Sequence, residues 1–515
     1  MAWAWGISPK KIETIPLGDY NSDYYLTLTY HAMVSRGWHV GYFDHDGIIA
    51  YTNISWPSYS EEVSARVKDG SVVIKSECVG YQGILTDYGK NQQNLDRLLD
   101  EIIYVEHVHL KNNLEESTQE LIDSIPEKQF LNLEDPPMAG KEQLRGFFSP
   151  FIPNKKYFVT PILVIINILI YIATFIAFNI LLAYSTGHQL NLSHGETIHD
   201  KFYLLFGYNH RTEVLNGQVW RLVTSIFQHF SLAHLFFNMV ALVYIGSLIE
   251  CKLGRWNYLL MFLFTGITAS TASVAFHDNQ ISAGASGAIF GLFGILLALL
   301  CTDFYEQSAR RALLISTAIV VGLNIAPIGE GIDHAAHFGG IISGYIFGWI
   351  AYFGFNHKNR FVKKWGIALA GSAIVIVFVS CSMVFLPRYQ LREYDTLVEK
   401  MQNMATDLDN YFYGRDENGH YVTLARKEKL DSIELIALPE VQKFKKLAPQ
   451  FNKLILPAKK EKAARAEAKL VGLLCQVYQL LYLEIKEQNM EKYRPKVDSL
   501  TYLVNDVRMN WEKGD

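Results

Sequence analysis

Four side chains capable of chemistry sit at the openings of long apolar runs. Ser286 lies in Gly284-Ala-Ser286-Gly287 and His337 in Asp333-His-Ala-Ala-His337-Phe-Gly-Gly340. His234 and Asn238 lie in His229-Phe-Ser-Leu-Ala-His234-Leu-Phe-Phe-Asn238. A serine hydroxyl is a weak nucleophile at neutral pH and needs a base within hydrogen-bond reach. Histidine, whose ordinary pKa is near 6.5, can take that proton and return it to a leaving amine. His234 and Asn238 are four residues apart, share a helix face and can both donate hydrogen bonds to a developing oxyanion, with the Ser286 amide as a third donor.

Small residues surround these groups. Gly284 and Gly287 remove bulk beside Ser286, and Gly340 and Gly344 lay a smooth strip on the face that carries His337. Along that strip a helix bearing His337 can close on one bearing Ser286. Each motif also has a plainer reading: small-residue packing for Gly284–Gly287, an interhelical hydrogen bond for Asn238, loop bonding for His229, an interfacial bystander for His334. Asp333 reads as a helix cap rather than a third catalytic member, since a Ser–His pair is chemically sufficient.

The elements that must position these residues are seven apolar segments. They run roughly 158–184, 232–249, 258–276, 284–300, 312–327, 335–355 and 365–386, and most approach the ~20 residues a helix needs to cross ~30 Å of hydrocarbon. Basic residues fall before segment one (Lys155, Lys156), between two and three (Lys252, Arg255), between four and five (Arg310, Arg311), and between six and seven (Lys358, Arg360, Lys363, Lys364). With Lys201, Arg211 and Arg221 in the loop after segment one as a modest exception, that asymmetry predicts a cytoplasmic N-terminus and, after seven crossings, an extracytoplasmic tail. Segments two, four and six then start on the outer side, so His234, Ser286 and His337 meet at one shallow depth. Ionisable groups inside a membrane cost several kcal/mol, and joint occurrence at matched depth favours function over scattered structural roles.

Residues 1–106 read as a strand-rich α+β domain placed in the cytoplasm. Within it Asp69-Gly70 turns a hairpin, and a helix is capped by Asn94. Residues 107–156 read as a linker, 157–386 as the membrane domain, and 387–515 as a charged helical domain. There Leu470–Ile485 reads as a buried bundle helix rather than an eighth crossing. The first twenty residues lack a basic stretch followed by an apolar core, which predicts no cleavable signal peptide. Net charge of -4 gives no footing for nucleic acid, and five scattered cysteines exclude a disulfide framework or zinc ribbon. No cofactor or metal is expected.

The residues resemble the rhomboid family of intramembrane serine proteases. The likeness rests on His229-x4-His234-x3-Asn238, Gly284-x-Ser286-Gly287, Ala336-His337-x2-Gly340-x3-Gly344, Glu250-x3-Gly254-Arg255 and Trp220-Arg221. It implies a polytopic α-helical protein with a six-helix core, here with a seventh helix, and a bacterial plasma-membrane location. It implies a Ser286–His337 dyad, an oxyanion site of His234, Asn238 and the Ser286 amide, and cleavage of single-pass membrane proteins near the outer end of their transmembrane helix. The loop from about Ser185 to Val219 would be the family's lateral membrane-embedded loop, stabilised in part by Glu250. Phe290 stands where some members carry a tyrosine packed on the catalytic histidine, so it keeps the aromatic surface without the hydroxyl. The competing readings are an inactive scaffold that binds membrane clients, and a transporter or channel. Both flanking domains are candidates for protein partners.

Overall fold

The computed structural model describes residues 9–53, 60–80, 86–126, 133, 148–187, 197–305, 307–325, 332–357, 359–414 and 425–512. The chain divides into two compact units, Met1–Asn179 with Phe206–Phe385, and Ile180–Leu205 with Leu386–Asp515.

The N-terminal part of the first unit is an antiparallel sheet of β1 (Lys10–Pro16), β2 (His39–Asp44), β3 (Gly47–Tyr51), β4 (Glu61–Lys68) and β5 (Ser71–Cys78), in the order β1-β5-β4-β3-β2. Asp69 and Gly70 both adopt positive φ (50° and 70°) and pair Lys68 with Ser71, the two-residue hairpin turn expected there. Helices α1 (Ser22–Ser35), α2 (Lys90–Tyr104) and α3 (Leu114–Asp123) accompany the sheet. Leu26, Ala32, Leu95, Leu98 and Ile102 share its core, and Leu114, Leu121 and Ile125 pack on that core beyond residue 106.

Asn94 does not cap α2. The Asp87 carboxylate takes the amides of Gly89 and Asn91, so the helix begins five residues earlier than that cap would set it, at Lys90. Asn94 is instead buried inside α2, its amide donating to Glu61 Oε2 at 3.0 Å.

The membrane-type helices of this unit are α4 (Val159–Gly187, in this unit as far as Asn179), α8 (Leu232–Leu253), α9 (Arg255–Phe276), α10 (Ser286–Leu300), α11 (Gln307–Ile325), α12 (His334–Asn356) and α13 (Arg360–Phe385). The short helices α5 (Ile198–Leu205), α6 (Arg211–Leu215) and α7 (Arg221–Thr224) lie between α4 and α8 in sequence. Among the described residues six helices are long and apolar enough to cross a membrane. Five of them, in α4, α8, α9, α12 and α13, fall on expected segments one, two, three, six and seven. Segment four is the shorter apolar helix α10. Segment five is α11, which carries Arg310 and Arg311 in its opening turn and is not among the six.

The sixth is α18 (Ala458–Glu487), in the second unit, which also holds α14 (Leu391–Tyr413), α15 (Arg426–Ser432), α16 (Leu438–Lys445), α17 (Ala448–Phe451) and α19 (Met490–Glu512). One stripe of α18, with Leu470, Val471, Leu474, Val477, Tyr478 and Leu481, is buried in a helical bundle. Phe412 of α14 stacks on Tyr478 at 5.0 Å, and the Tyr478 hydroxyl donates to Asp409 Oδ1. The i, i+3, i+4 spacing of that stripe suits a packed amphipathic helix, although length and composition also suit a crossing.

Candidate active site

Three helix starts converge. Ser231 caps α8 by accepting from the His234 amide at 3.1 Å, which sets His234 in the first turn and Asn238 one turn on. Gly284, at φ +124°, turns the chain into α10, whose first residue is Ser286. Asp333 caps α12 through the Ala336 amide at 2.9 Å, placing His337 in its first turn. His337 Nε2 then lies 3.0 Å from Ser286 Oγ.

Ser286, His337, His234 and Asn238 all line one cavity of about 550 Å³, with Phe237, Ile289 and Phe293 as apolar wall. His337 is buried and Ser286 only partly so. The Phe290 ring stacks on the His337 imidazole with centroids 4.1 Å apart and planes 21° from parallel, which fixes the ring without a hydrogen bond. As the first residue of its helix, Ser286 has an amide with no intrahelical acceptor. A Cβ on Gly284 would stand 2.8 Å from the His234 ring and 3.8 Å from Asn238 Nδ2, so the two donors flank the segment entering Ser286. Asn238 Nδ2 meanwhile donates back to the His234 carbonyl at 3.0 Å.

The glycine strip brings α10 and α12 to backbone contact. A Cβ on Gly340 would lie 2.2 Å from the Gly287 carbonyl oxygen, and one on Gly344 1.9 Å from that of Gly291. Reciprocally, a Cβ on Gly294 would meet the Ile341 carbonyl at 2.3 Å. Only residues without side chains permit this approach.

The segment entering α10 is held from the preceding loop. Asn209 and Ser282 exchange both backbone hydrogen bonds at 2.9 Å, and the Gly284 amide donates to the Ser225 carbonyl. Arg211 is buried and donates to the carbonyls of Val274 and Ala275 at the end of α9. Asp333 Oδ1 accepts from His277 Nε2 at 3.1 Å and Oδ2 from the Ser282 hydroxyl at 2.6 Å. Burial alone would push the Asp333 carboxyl up, but hydrogen bonds from His277, Ser273, Ser282 and the Ala336 amide outweigh it and hold the group at about 2. The same bond to Asp333 raises His277 above its ordinary value.

One expected placement needs correction. Among the described residues, Glu250 bonds the start of α4 and not the loop after it. It sits in the last turn of α8, 16 residues or about 24 Å from His234. Its carboxylate caps α4, accepting from the amides of Phe158, Val159 and Thr160 at 2.6–2.9 Å and from the Thr160 hydroxyl. A carboxylate matches the unpaired amides and positive dipole end of a helix start, so α4 recruits it. Glu250→Ala should therefore cost roughly 2–3 kcal/mol of stability by leaving several amides unbonded. Thermal denaturation in detergent would read this, and an unchanged midpoint would remove the capping role.

The loop expected at 185–219 lies partly outside the described residues. Its described end is tied by its own polar groups. Arg221 donates to the Tyr208 carbonyl, the Tyr208 hydroxyl to the His229 carbonyl, and Thr224 to that of Gly207. His229 is buried edge-on against His234 at 5.1 Å, and His334 lies edge-on to His337 at 6.5 Å. Both oxygens of Asp333 are engaged as described above, directed at α12's own start and the segment from His277 to Ser282. The sequence does not single out Ser282, His277 or Asn209, and offers Arg211 only as a loop cation, because loop polar groups look alike until their partners are known. One signal was present: Ser282 stands four residues before Ser286 as Asp333 stands four before His337. Among the described residues no group of three or more His, Cys, Asp or Glu side chains is arranged to hold a metal ion.

Residues 216–354 match the rhomboid domain family. The chain is similar to the rhomboid protease GluP of Bacillus subtilis, 36% identical over 173 residues, which is 33% of this chain and 32% of that protein. It is similar to RHOMBOID-like protein 1 of Arabidopsis thaliana, 34% identical over 28% of this chain and 38% of the relative. It also resembles Rhomboid-like protease 2 of Toxoplasma gondii, 30% identical over 36% of this chain and 65% of that protein. In each case the match spans less than two thirds of the relative's length. With its apolar helices and this domain, the chain is a multi-pass membrane protein that carries a rhomboid-family domain over residues 216–354.

Proposed function

We propose that this protein is an intramembrane serine endopeptidase that cleaves single-pass membrane proteins near one end of their transmembrane helix. The observation that supports it most is the 3.0 Å approach of His337 Nε2 to Ser286 Oγ at a cavity. In this reading His337 takes the Ser286 proton as Oγ attacks the scissile carbonyl carbon. The oxyanion is met by the Ser286 amide and the side chains of His234 and Asn238. The C–N bond breaks as His337 protonates the leaving amine. A water deprotonated by His337 then attacks the ester, releasing the acid and returning the proton to Ser286.

Helix α10 is about 22 Å long at 1.5 Å per residue, short of the ~30 Å hydrocarbon layer. A nucleophile at its first residue therefore lies below the membrane surface, within reach of a helical substrate and of water in the cavity. An inactive scaffold has less support, since it has no need of a hydroxyl in register with an imidazole. The basic residues flanking the helices support a cytoplasmic N-terminus and an extracytoplasmic tail.

Purified full-length protein in detergent should cleave a single-pass model substrate and be labelled by a fluorophosphonate, and Ser286→Ala should lose both. Cleavage surviving in Ser286→Ala would overturn the assignment, and client binding without cleavage by wild type would favour the scaffold. A reporter fused after Pro387 should be accessible from outside the cytoplasm; protection there would mean an even number of crossings.

A further inference from the structure

We propose that Asp333 is a positioning residue for the Ser286–His337 pair, acting through a side-chain latch to Ser282 and His277 rather than by touching His337. The proposal rests on the catalytic reading above. Its geometric basis is a matched register. Ser282 is four residues before Ser286, Asp333 is four residues before His337, and both pairs are bonded: Ser282 Oγ to Asp333 Oδ2 at 2.6 Å, His337 Nε2 to Ser286 Oγ at 3.0 Å. The latch thus repeats the nucleophile–base contact on the two segments that lead into α10 and α12, and both Ser282 and Asp333 line the same cavity as the dyad.

A cap alone needs none of this. Capping α12 uses Asp333 Oδ1 on the Ala336 amide, yet Oδ1 also accepts from His277 Nε2 and Oδ2 reaches Ser282. These contacts draw the chain between α9 and α10 against the start of α12. Ser282 is meanwhile pinned on both backbone faces by Asn209, and Gly284 by Ser225, so Ser282 offers Asp333 a rigid anchor. The glycine contacts set the distance between α10 and α12 along their lengths but cannot stop their ends from sliding or fraying. A short charge-assisted hydrogen bond one turn outside the dyad does. The carboxylate held at about 2 stays ionised at working pH and keeps its donors. Misplacement of reacting groups by about 1 Å can cost on the order of a hundredfold in rate.

The test separates latch from cap in the full-length protein. Asp333→Ser retains a capping oxygen but is too short to hold Ser282 and His277 as well. Ser282→Ala leaves the cap untouched, and Ser282→Thr restores the hydroxyl. Asp333→Ser and Ser282→Ala should each lower kcat about ten- to a hundredfold and slow fluorophosphonate labelling, with KM within about twofold of wild type and Ser282→Thr close to wild type. Should Asp333→Ser fail to fold, Ser282→Ala and its threonine rescue decide alone. Wild-type kcat in Ser282→Ala, or in a folded Asp333→Ser, would overturn the latch while Ser286→Ala stays inactive. Activity in Ser286→Ala would instead strike at the catalytic reading on which the latch depends.

Discussion

His337→Asn is expected to lower cleavage by about three orders of magnitude or more, and adding Ser286→Ala should lower it little further. The reason is that neither residue has a function without the other. The hydroxyl is a nucleophile only while an imidazole 3.0 Å away can accept its proton. The imidazole, stacked on Phe290 at 4.1 Å, has no other proton to move in the first step. Asparagine can hydrogen-bond the hydroxyl but is not basic, so geometry survives and chemistry stops. What remains would come from binding and the oxyanion donors, which the double variant keeps, since alanine retains the backbone amide at position 286. Initial rates on one single-pass substrate for wild type, both single variants and the double variant make the measurement. Losses that add in free energy would mean that the two residues act separately, and the dyad would have to be abandoned.

Much of this site was legible in the sequence because helices convert spacing into position. Three motifs at the starts of alternate apolar segments had to meet at one depth, and Ser286, His337, His234 and Asn238 line one cavity. Gly340 and Gly344 foretold a close crossing because a missing side chain has one obvious use between helices. Asp69-Gly70 was equally plain, since positive φ at two successive residues admits few residue types. Polar residues whose partners are distant in sequence were the ones misread. Glu250 bonds amides 90 to 92 residues away, and no local pattern distinguishes that from bonding a nearer loop. Asn94 looked like a cap because the residues after it are periodic, while Asp87 had already satisfied the earlier turn. Local periodicity is a property of one segment; a hydrogen bond across the fold belongs to two.

Gly344→Ala should be the most damaging single-methyl change in the membrane domain, lowering stability by roughly 3 kcal/mol and cleavage by about a hundredfold. Its Cβ would lie 1.9 Å from the Gly291 carbonyl oxygen and 2.8 Å from the Gly291 Cα, so the obstacle is backbone and no rotamer relieves it. Helix α12 would have to move away from α10 by more than 1 Å to reach ordinary contact. Gly340 touches Gly287 one turn nearer the dyad, next to Ser286, so the same displacement opens the His337–Ser286 distance. Gly354→Ala supplies the control on the same helix. There the nearest atoms to a Cβ are Ile367 Cγ1 at 3.4 Å and Cδ1 at 3.8 Å, an ordinary van der Waals approach. Alanine also loses less backbone freedom on folding than glycine inside a helix, so that variant should be neutral or about 0.5–1 kcal/mol more stable. Thermal midpoints and cleavage rates of the two variants in one detergent give the comparison. If Gly344→Ala matched Gly354→Ala in both, α10 and α12 could not be in backbone contact. The hydroxyl and imidazole would then need some other cause for their proximity, because it is that contact which lets two helix starts share one proton.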